Sequence, residues 1–238
     1  MTDTQMTFME HLNELRTRVT RSAAAILVGA GVAFAFREPL FELLASPYND
    51  VIGPGEKLVF LNPTGAFALF MKLALWGGLI LASPVVIYQL WRFIAPALTD
   101  RERKYLIPAS GVLALLFVGG VSAGYWSLDR GLSFLLDFGG DQIDPVIEAQ
   151  NYMTFAMRFL LAFGAAFEFP VFLFGAAVIN VVDSKKLREG RRWAVLIIVI
   201  AAAVITPSGD PITLLLLSGP LYVLYELTIL AVRFILRK

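Results

Sequence analysis

The chain has 238 residues, of which 58% are hydrophobic and only 16% charged, and its mean hydropathy is +0.71. Soluble domains carry about 25% charged residues, so this composition predicts an integral membrane protein, folded as a single polytopic domain over residues 1–238. The absence of cysteine excludes disulfides, zinc–thiolate sites and cysteine nucleophiles, and a single histidine, His11, leaves no material for metal clusters or histidine-dependent triads. The net charge of +1 conceals an uneven distribution of basic residues.

Six continuous apolar runs, without the two-residue alternation of membrane strands, predict six transmembrane helices. A helix needs about 20 apolar residues to cross the hydrocarbon core. The fifth run is shorter than this, so we expect a hairpin of two short last helices, turned by TPSGDP at 206–211, beside a thinned zone of bilayer. The predicted spans are Val19–Phe36, Ala66–Ile94, Leu106–Trp126, Tyr152–Val182, Trp193–Ile205 and Ile212–Phe234.

Basic residues orient these spans. With the N-terminus inside, 15 of the 20 Lys and Arg residues lie on inner segments and three on outer segments, which predicts that both termini face the cytoplasm. A cleaved signal peptide is an alternative for the first run, because Ala33-Phe34-Ala35 follows a basic lead. Its removal would leave five spans, whereas the charge distribution favours six.

The outer segments are predicted to be ordered. Residues 37–65 carry four prolines, including Pro47, around the amphipathic stretch PLFELLA. Proline restricts φ and favours helix starts, so this segment is interpreted as a structured cap.

Two acidic residues lie within predicted spans. Glu168 stands in the run AAFEFPVFLF, where ionised carboxylates are costly and normally face a cavity or a partner. It is either a neutral, hydrogen-bonded group that joins two helices or a polar anchor for something that enters the membrane sideways. Glu226, in LYELTI, either reaches the interface or pairs with Arg233, or it has a functional role. Lys72 and Arg158 are expected to extend to the outer interface.

Two stretches stand out on the predicted cytoplasmic face. FMEHLNELRTRV (8–19) predicts an amphipathic entry helix with an i,i+4 pair of Glu14 and Arg18. TDRERKYL (99–106) places Glu102 between Arg101 and Arg103. Residue patterning alone favours a solvated surface for both stretches.

Four motifs in order resemble one family over nearly the whole chain. HLNELRTR (11–18) resembles an HLxELRxR signature, and YQLWRFIAPALTDRER (88–103) is similar to YQxWxFxxPgLtxxER. FGAAFEFP (163–170) resembles FGxxFExP, and ITPSGDPIT followed by PLYVLYE (205–226) resembles TPxxDP…PxyxLYE. The family is TatC, the polytopic receptor of the twin-arginine protein translocase.

This resemblance implies a receptor for signal peptides that carry a consecutive arginine pair. It assigns the arginine contacts to Glu14 and Glu102, and guanidinium suits carboxylates because it is planar, always charged and bidentate. Arg16 is expected to keep these carboxylates ionised and to repel poorly fitting basic segments. Phe93, in the second motif, is counted with the signal-peptide site.

The resemblance also assigns the remaining residues. Glu168 is expected to face a groove that takes the apolar part of the signal peptide or the single-span partner subunits. Thr206, Asp210 and Thr213 are expected at a docking face for those partners, although Leu214 and the Ser208-Gly209 turn depart from a common family pattern. Pro47 matches a proline of the outer cap, with a shaping role.

The leading hypothesis is therefore a non-enzymatic receptor and core subunit of a translocase that exports folded proteins with TatA/TatB-type subunits and the proton-motive force. It implies no cofactor, no metal and no nucleic acid, a homo-oligomer within the complex, and a prokaryotic cytoplasmic membrane. The alternative is a proton-coupled transporter of a small solute that uses Glu168. An intramembrane hydrolase is disfavoured, because no suitable nucleophile and base lie near one another.

Overall fold

The computed structural model describes residues 8–52, 58–61, 63–94, 106–138, 146–206 and 209–237. These residues are almost entirely helical. A π-helical turn, Val232–Leu236, continues the last helix. The helices are α1 Phe8–Ala35, α2 Arg37–Ile52, α3 Gly65–Ile94, α4 Leu106–Asp137, α5 Ala149–Ala166, α6 Phe169–Val178, α7 Ser184–Glu189, α8 Arg191–Ile205 and α9 Pro211–Ala231.

Five described helical stretches are long and apolar enough to cross a membrane, with α5 and α6 together forming one of them. The prediction of an all-α membrane protein is confirmed. Helix α8, with 15 residues, spans only about 22 Å, as the short fifth run predicts. The expectation of a short last helix is wrong, because α9 has 21 residues and its stretch runs on to Leu236.

Several spans differ from their predicted bounds. The entry helix and the first span form one continuous helix, α1. Helix α4 continues past Trp126 to Asp137, because Leu128 and Leu132 are buried in the protein core rather than exposed to water. The fourth span is interrupted at Phe167 and Glu168, between α5 and α6, with Pro170 in the first turn of α6.

Helices α1 and α3 pack closely along much of their length. Small residues make this possible: a Cβ atom at Gly78 would lie 2.4 Å from the backbone nitrogen of Ala30, and one at Gly29 would lie 2.7 Å from the carbonyl oxygen of Gly78. Lipid chains are as apolar as the side chains, so close backbone packing of this kind contributes strongly to helix association in membranes. The α1–α3 pair therefore positions the N-terminal turns of α1 beside the last turns of α3.

The segment after α1, which the sequence predicts to lie on the outer face, is ordered where it is described. Helix α2 packs on α3, α4 and α5, and Pro47 is buried within it. The strand-like segment after α2 is tied to the start of α5, because the backbone N–H of Ala149 donates to the carbonyl of Val59 at 2.9 Å. The predicted ordered cap is thus confirmed over 37–52 and 58–61.

Candidate functional site

The first turns of α1 carry a largely buried ion pair. Arg18 Nη2 donates to Glu14 Oε1 at 2.7 Å, and Arg18 Nη1 donates to Oε1 of Gln89 on α3 at 3.0 Å. The Glu14 and Arg18 side chains are only 15% and 14% exposed. The predicted i,i+4 pair is confirmed, but the expected solvated surface is wrong here, because the pair lies against α3.

The pair is incomplete on both sides. Glu14 Oε2 is buried and accepts no hydrogen bond from the described residues, and Arg18 Nε, also buried, donates none to them. A carboxylate and a guanidinium can form two parallel hydrogen bonds, whereas this pair forms one. Glu14 therefore offers an acceptor that a second guanidinium would satisfy.

Phe93 lies next to this pair. Its ring stacks on the imidazole of His11, with centroids 4.4 Å apart and an interplanar angle of 25°. His11 is three residues from Glu14, so Phe93 and Glu14 belong to one surface, which we call the rim: His11, Glu14, Arg18, Gln89 and Phe93. Sequence reasoning missed Gln89, which is 71 residues from its partner along the chain.

Of the other residues predicted for this site, Arg16 is not brought to this pair. Arg16 lies about 200° around α1 from Glu14 and its side chain is exposed. Glu102, together with Arg101 and Arg103, lies outside the described residues. The expected meeting of Glu14 and Glu102 thus stays a prediction.

Glu168 is enclosed at the break between α5 and α6. Its side chain is 6% exposed, and both carboxyl oxygens are buried without a hydrogen bond from the described residues. The interpretation as a hydrogen-bonded group that joins two helices is therefore wrong within the described part of the chain. The carboxyl is not exposed on the outside of the helix bundle either, so it is a buried polar group without a partner in the part of the chain that the structure describes.

Trp91 of α3 packs on one face of α6, the face that carries Val171, Phe172 and Gly175. These residues lie three, four and seven positions after Glu168, so they continue its side of the helix. The Trp91 indole stacks on Phe172 with centroids 6.1 Å apart, and it packs against Val171. A Cβ atom at Gly175 would lie 3.2 Å from Trp91 Cη2, so the glycine allows this approach. Trp91 Nε1 is also buried and donates to no acceptor among the described residues. Sequence reasoning did not select Trp91, although it stands in the second quoted motif.

An apolar cavity lies on the neighbouring side of α6. Its volume is about 370 Å³, and Leu116 of α4, Pro170 of α6 and Leu224 of α9 are among its lining residues. Such a space suits apolar side chains and has almost no polar lining. Among the described residues, no group of three or more His, Asp or Glu side chains is arranged to bind a metal ion.

Glu226 pairs with a residue that the sequence did not indicate. Arg191 Nη2 donates to Glu226 Oε2 at 2.7 Å, and the Tyr222 hydroxyl donates to Oε1 at 3.0 Å. The expected partner Arg233 instead lies over the ring of Phe234. Glu226 therefore joins the start of α8 to α9, and these contacts give it a structural role.

The polar residues of the turn between α8 and α9 are bonded within the chain. Asp210 caps α9, since its Oδ1 accepts the backbone N–H of Thr213 at 2.8 Å, and Thr206 Oγ1 donates to the carbonyl of Ala202 at 2.8 Å. Thr206, Asp210 and Thr213 are all buried. In this conformation their hydrogen bonds stabilise the turn, so a role in docking would depend on the conformation of the turn rather than on free polar groups of these three residues.

Comparison with known proteins identifies the family. The family model described as Sec-independent protein translocase protein (TatC) matches residues 10–220. The chain is 38% identical to the Sec-independent protein translocase protein TatC of Carboxydothermus hydrogenoformans, covering 100% of this chain and 97% of the relative, and 37% identical to that of Desulforapulum autotrophicum, covering 95% and 84%. A crystal structure of the twin-arginine translocase receptor TatC in DDM superposes with a TM-score of 0.79 at 37% identity, covering 94% of this chain and 99% of that one. The chain belongs to the TatC family of Sec-independent protein translocase proteins.

Proposed function

We propose that this protein is the receptor and core subunit of a twin-arginine translocase, and that its rim binds the arginine pair of a signal peptide. The observation that carries the proposal is that the second carboxyl oxygen of Glu14, in a chain from this family, is buried at the rim without a donor among the described residues. A peptide guanidinium would supply the missing donor in a setting where water competes weakly. Lysine lacks the planar fork and makes a single-point contact.

Glu102 and Phe93 complete the proposed site. Glu102 provides the second carboxylate, and Phe93, held by His11, offers an aromatic face for a guanidinium or an apolar side chain. The apolar segment of the signal peptide then passes along α6 toward Glu168, which lies on the same helix face as the Phe172 ring that stacks on Trp91. Glu168 would there be engaged by the peptide or by a single-span subunit.

The proposed setting is a prokaryotic cytoplasmic membrane that the chain crosses six times, with both termini in the cytoplasm. Export of folded cargo uses the proton-motive force and TatA/TatB-type subunits, which we place at the outer turn around Thr206, Asp210 and Thr213. The chain has no cysteine, so a single cysteine can be introduced at residue 9 or at residue 237. Its labelling is then compared between reagents added to the outside and to the inside of sealed vesicles. Labelling only from the outside of right-side-out vesicles would contradict the orientation.

Photo-crosslinking tests the receptor assignment. A signal peptide with a photoreactive group beside its arginine pair should crosslink to the rim, and the corresponding twin-lysine peptide should not. Glu14→Gln and Glu102→Gln should each reduce crosslinking at least tenfold, because each removes a charged acceptor. Unchanged crosslinking in both variants would refute the assignment. Ion-coupled solute uptake by the chain alone in liposomes would support the transporter instead.

A further inference from the structure

The pairing of Glu14 and Arg18 has an unusual feature for a buried ion pair. Arg18 uses its two terminal nitrogens on different acceptors, Nη2 on Glu14 and Nη1 on Gln89. The second oxygen of Glu14 and the Nε of Arg18 are left without partners within the described residues, although both atoms are buried. A bidentate pair would have joined these atoms. Gln89, by accepting from Nη1, holds the guanidinium in the orientation in which these two atoms stay apart.

We infer that Arg18 is an internal placeholder on Glu14, which the guanidinium of an incoming ligand displaces. This inference rests on the proposed function and names a determinant of its specificity. In the ligand-free protein Arg18 compensates the buried charge of Glu14, which is costly to leave alone. Because the internal pair has one hydrogen bond, a ligand that forms two bonds to the carboxylate replaces a weaker contact with a stronger one.

Selection for arginine follows from this exchange. A peptide arginine can bond both oxygens of Glu14 and gains one hydrogen bond relative to Arg18. A lysine ammonium is a compact, strongly hydrated donor without a planar fork, so it gains little over the group that it displaces. Gln89 accepts the displaced Arg18, because its side-chain oxygen already holds one terminal nitrogen of that residue. Gln89 is thus a positioning residue, and Arg18 is the internal competitor.

Two substitutions should change affinity in opposite directions. Arg18→Gln removes the competitor and should strengthen binding of a twin-arginine peptide about tenfold, the effect of one hydrogen bond to a charged group. Gln89→Leu releases Arg18 to pair with both oxygens of Glu14 and should weaken binding about tenfold. Arg18→Lys keeps the charge but not the fork, and it should strengthen binding by a smaller factor.

The experiment measures binding of a fluorescent twin-arginine peptide and its twin-lysine counterpart to the full chain in nanodiscs. Arg21→Gln is the charge-matched control, because Arg21 is exposed, lies on the same helix and has no part in the rim. The small change in affinity that Arg21→Gln causes through the lost positive charge is subtracted from the change that Arg18→Gln causes. Circular dichroism confirms that each variant is folded, and Arg18→Lys serves in place of Arg18→Gln if the neutral variant does not fold.

The outcomes separate this inference from the proposed function. Weaker binding in Arg18→Gln and Arg18→Lys, relative to the control, would show that Arg18 contacts the ligand directly and would overturn the placeholder role. Stronger binding in Gln89→Leu would overturn the positioning role of Gln89. If the wild-type chain does not prefer the twin-arginine peptide over the twin-lysine peptide, the proposed function itself fails.

Discussion

Replacing Tyr125 with phenylalanine is expected to weaken the attachment of the outer cap through a single backbone carbonyl. Pro47 has no backbone N–H, so the carbonyl of Leu43, four residues earlier in α2, has no helical donor. The Tyr125 hydroxyl of α4 donates to this carbonyl at 3.0 Å. The Tyr152 hydroxyl of α5 donates to the next carbonyl, that of Leu44, at 2.7 Å. Side chains of two other helices thus bond α2 at the turn that the proline disrupts.

The magnitude follows from the fate of the Leu43 carbonyl. An unsatisfied buried carbonyl costs about 1–3 kcal/mol, and the partly exposed position of Tyr125 favours the lower end, about 1 kcal/mol. In a Pro47→Ala background, residue 47 has an N–H that can bond this carbonyl within α2. There Tyr125→Phe should cost close to nothing, so the coupling energy of the two substitutions is about 1 kcal/mol.

A double-mutant cycle in micelles tests this coupling. The free energy of unfolding is measured by SDS titration for the wild type, both single variants and the double variant. Tyr88→Phe is the control, because its hydroxyl accepts from Arg92 on an exposed face and does not bond α2. Equal costs of Tyr125→Phe with proline and with alanine at position 47 would refute the reasoning.

Three further predictions concern helix packing and capping. Gly78→Leu should prevent folding, because its Cβ would lie 2.4 Å from the α1 backbone, whereas Gly31→Ala, with open space around it, should be tolerated; the yield of monodisperse protein distinguishes them. A backbone N–H of α7 lowers the pKa of Asp183 below its usual 3.8, so its capping should persist above about pH 4 and be lost as the pH falls through the lowered pKa. In the wild type, hydrogen exchange of the α7 backbone should show this loss of capping as the pH falls. In Asp183→Asn, whose side chain does not titrate, the protection of α7 should persist over the same pH range. Gly131→Ala should destabilise the chain because its Cβ would lie 2.5 Å from Thr213 Cγ2, and Thr213→Ser should relieve the clash; a thermal shift that Thr213→Ser fails to restore would contradict this.

Hydropathy located the membrane helices correctly where their apolar residues face lipid. It misplaced the end of α4, where the apolar residues face other helices. Continuous apolar runs located the membrane helices, since hydrocarbon demands about 20 apolar residues per crossing. The outer part of α4 carries Ser127, Asp129 and Arg130, so hydropathy places it outside the span. Its other residues, Leu128 and Leu132, pack into the core. Hydropathy alone cannot identify the part of a helix whose apolar residues are buried by other helices rather than by lipid.

The sequence explains why the helix breaks at Glu168, but it does not predict that the Glu168 carboxyl is buried. Pro170 lacks a donor and favours the first turn of a helix, so a break just before it is expected from sequence. Nothing local to AAFEFP indicates that the carboxyl is buried, and the adjoining Val171 packs on Trp91, 80 residues earlier in the chain. Partners that distant along the chain are visible only in the fold.

The orientation of α1 shows why amphipathic patterns change meaning at a membrane. Leu12, Leu15 and Val19 form the apolar stripe that a soluble helix would bury, yet they are 42%, 40% and 58% exposed. Glu14 and Arg18 occupy the protein-facing side instead. Because lipid is as apolar as a protein core, an apolar stripe gains little by turning inward, whereas a polar pair gains acceptors such as Gln89 only inside the protein. A charged i,i+4 pair at the start of a membrane span is therefore better interpreted as a buried contact than as a solvated face, and this reversal places Glu14 where a guanidinium ligand can be held.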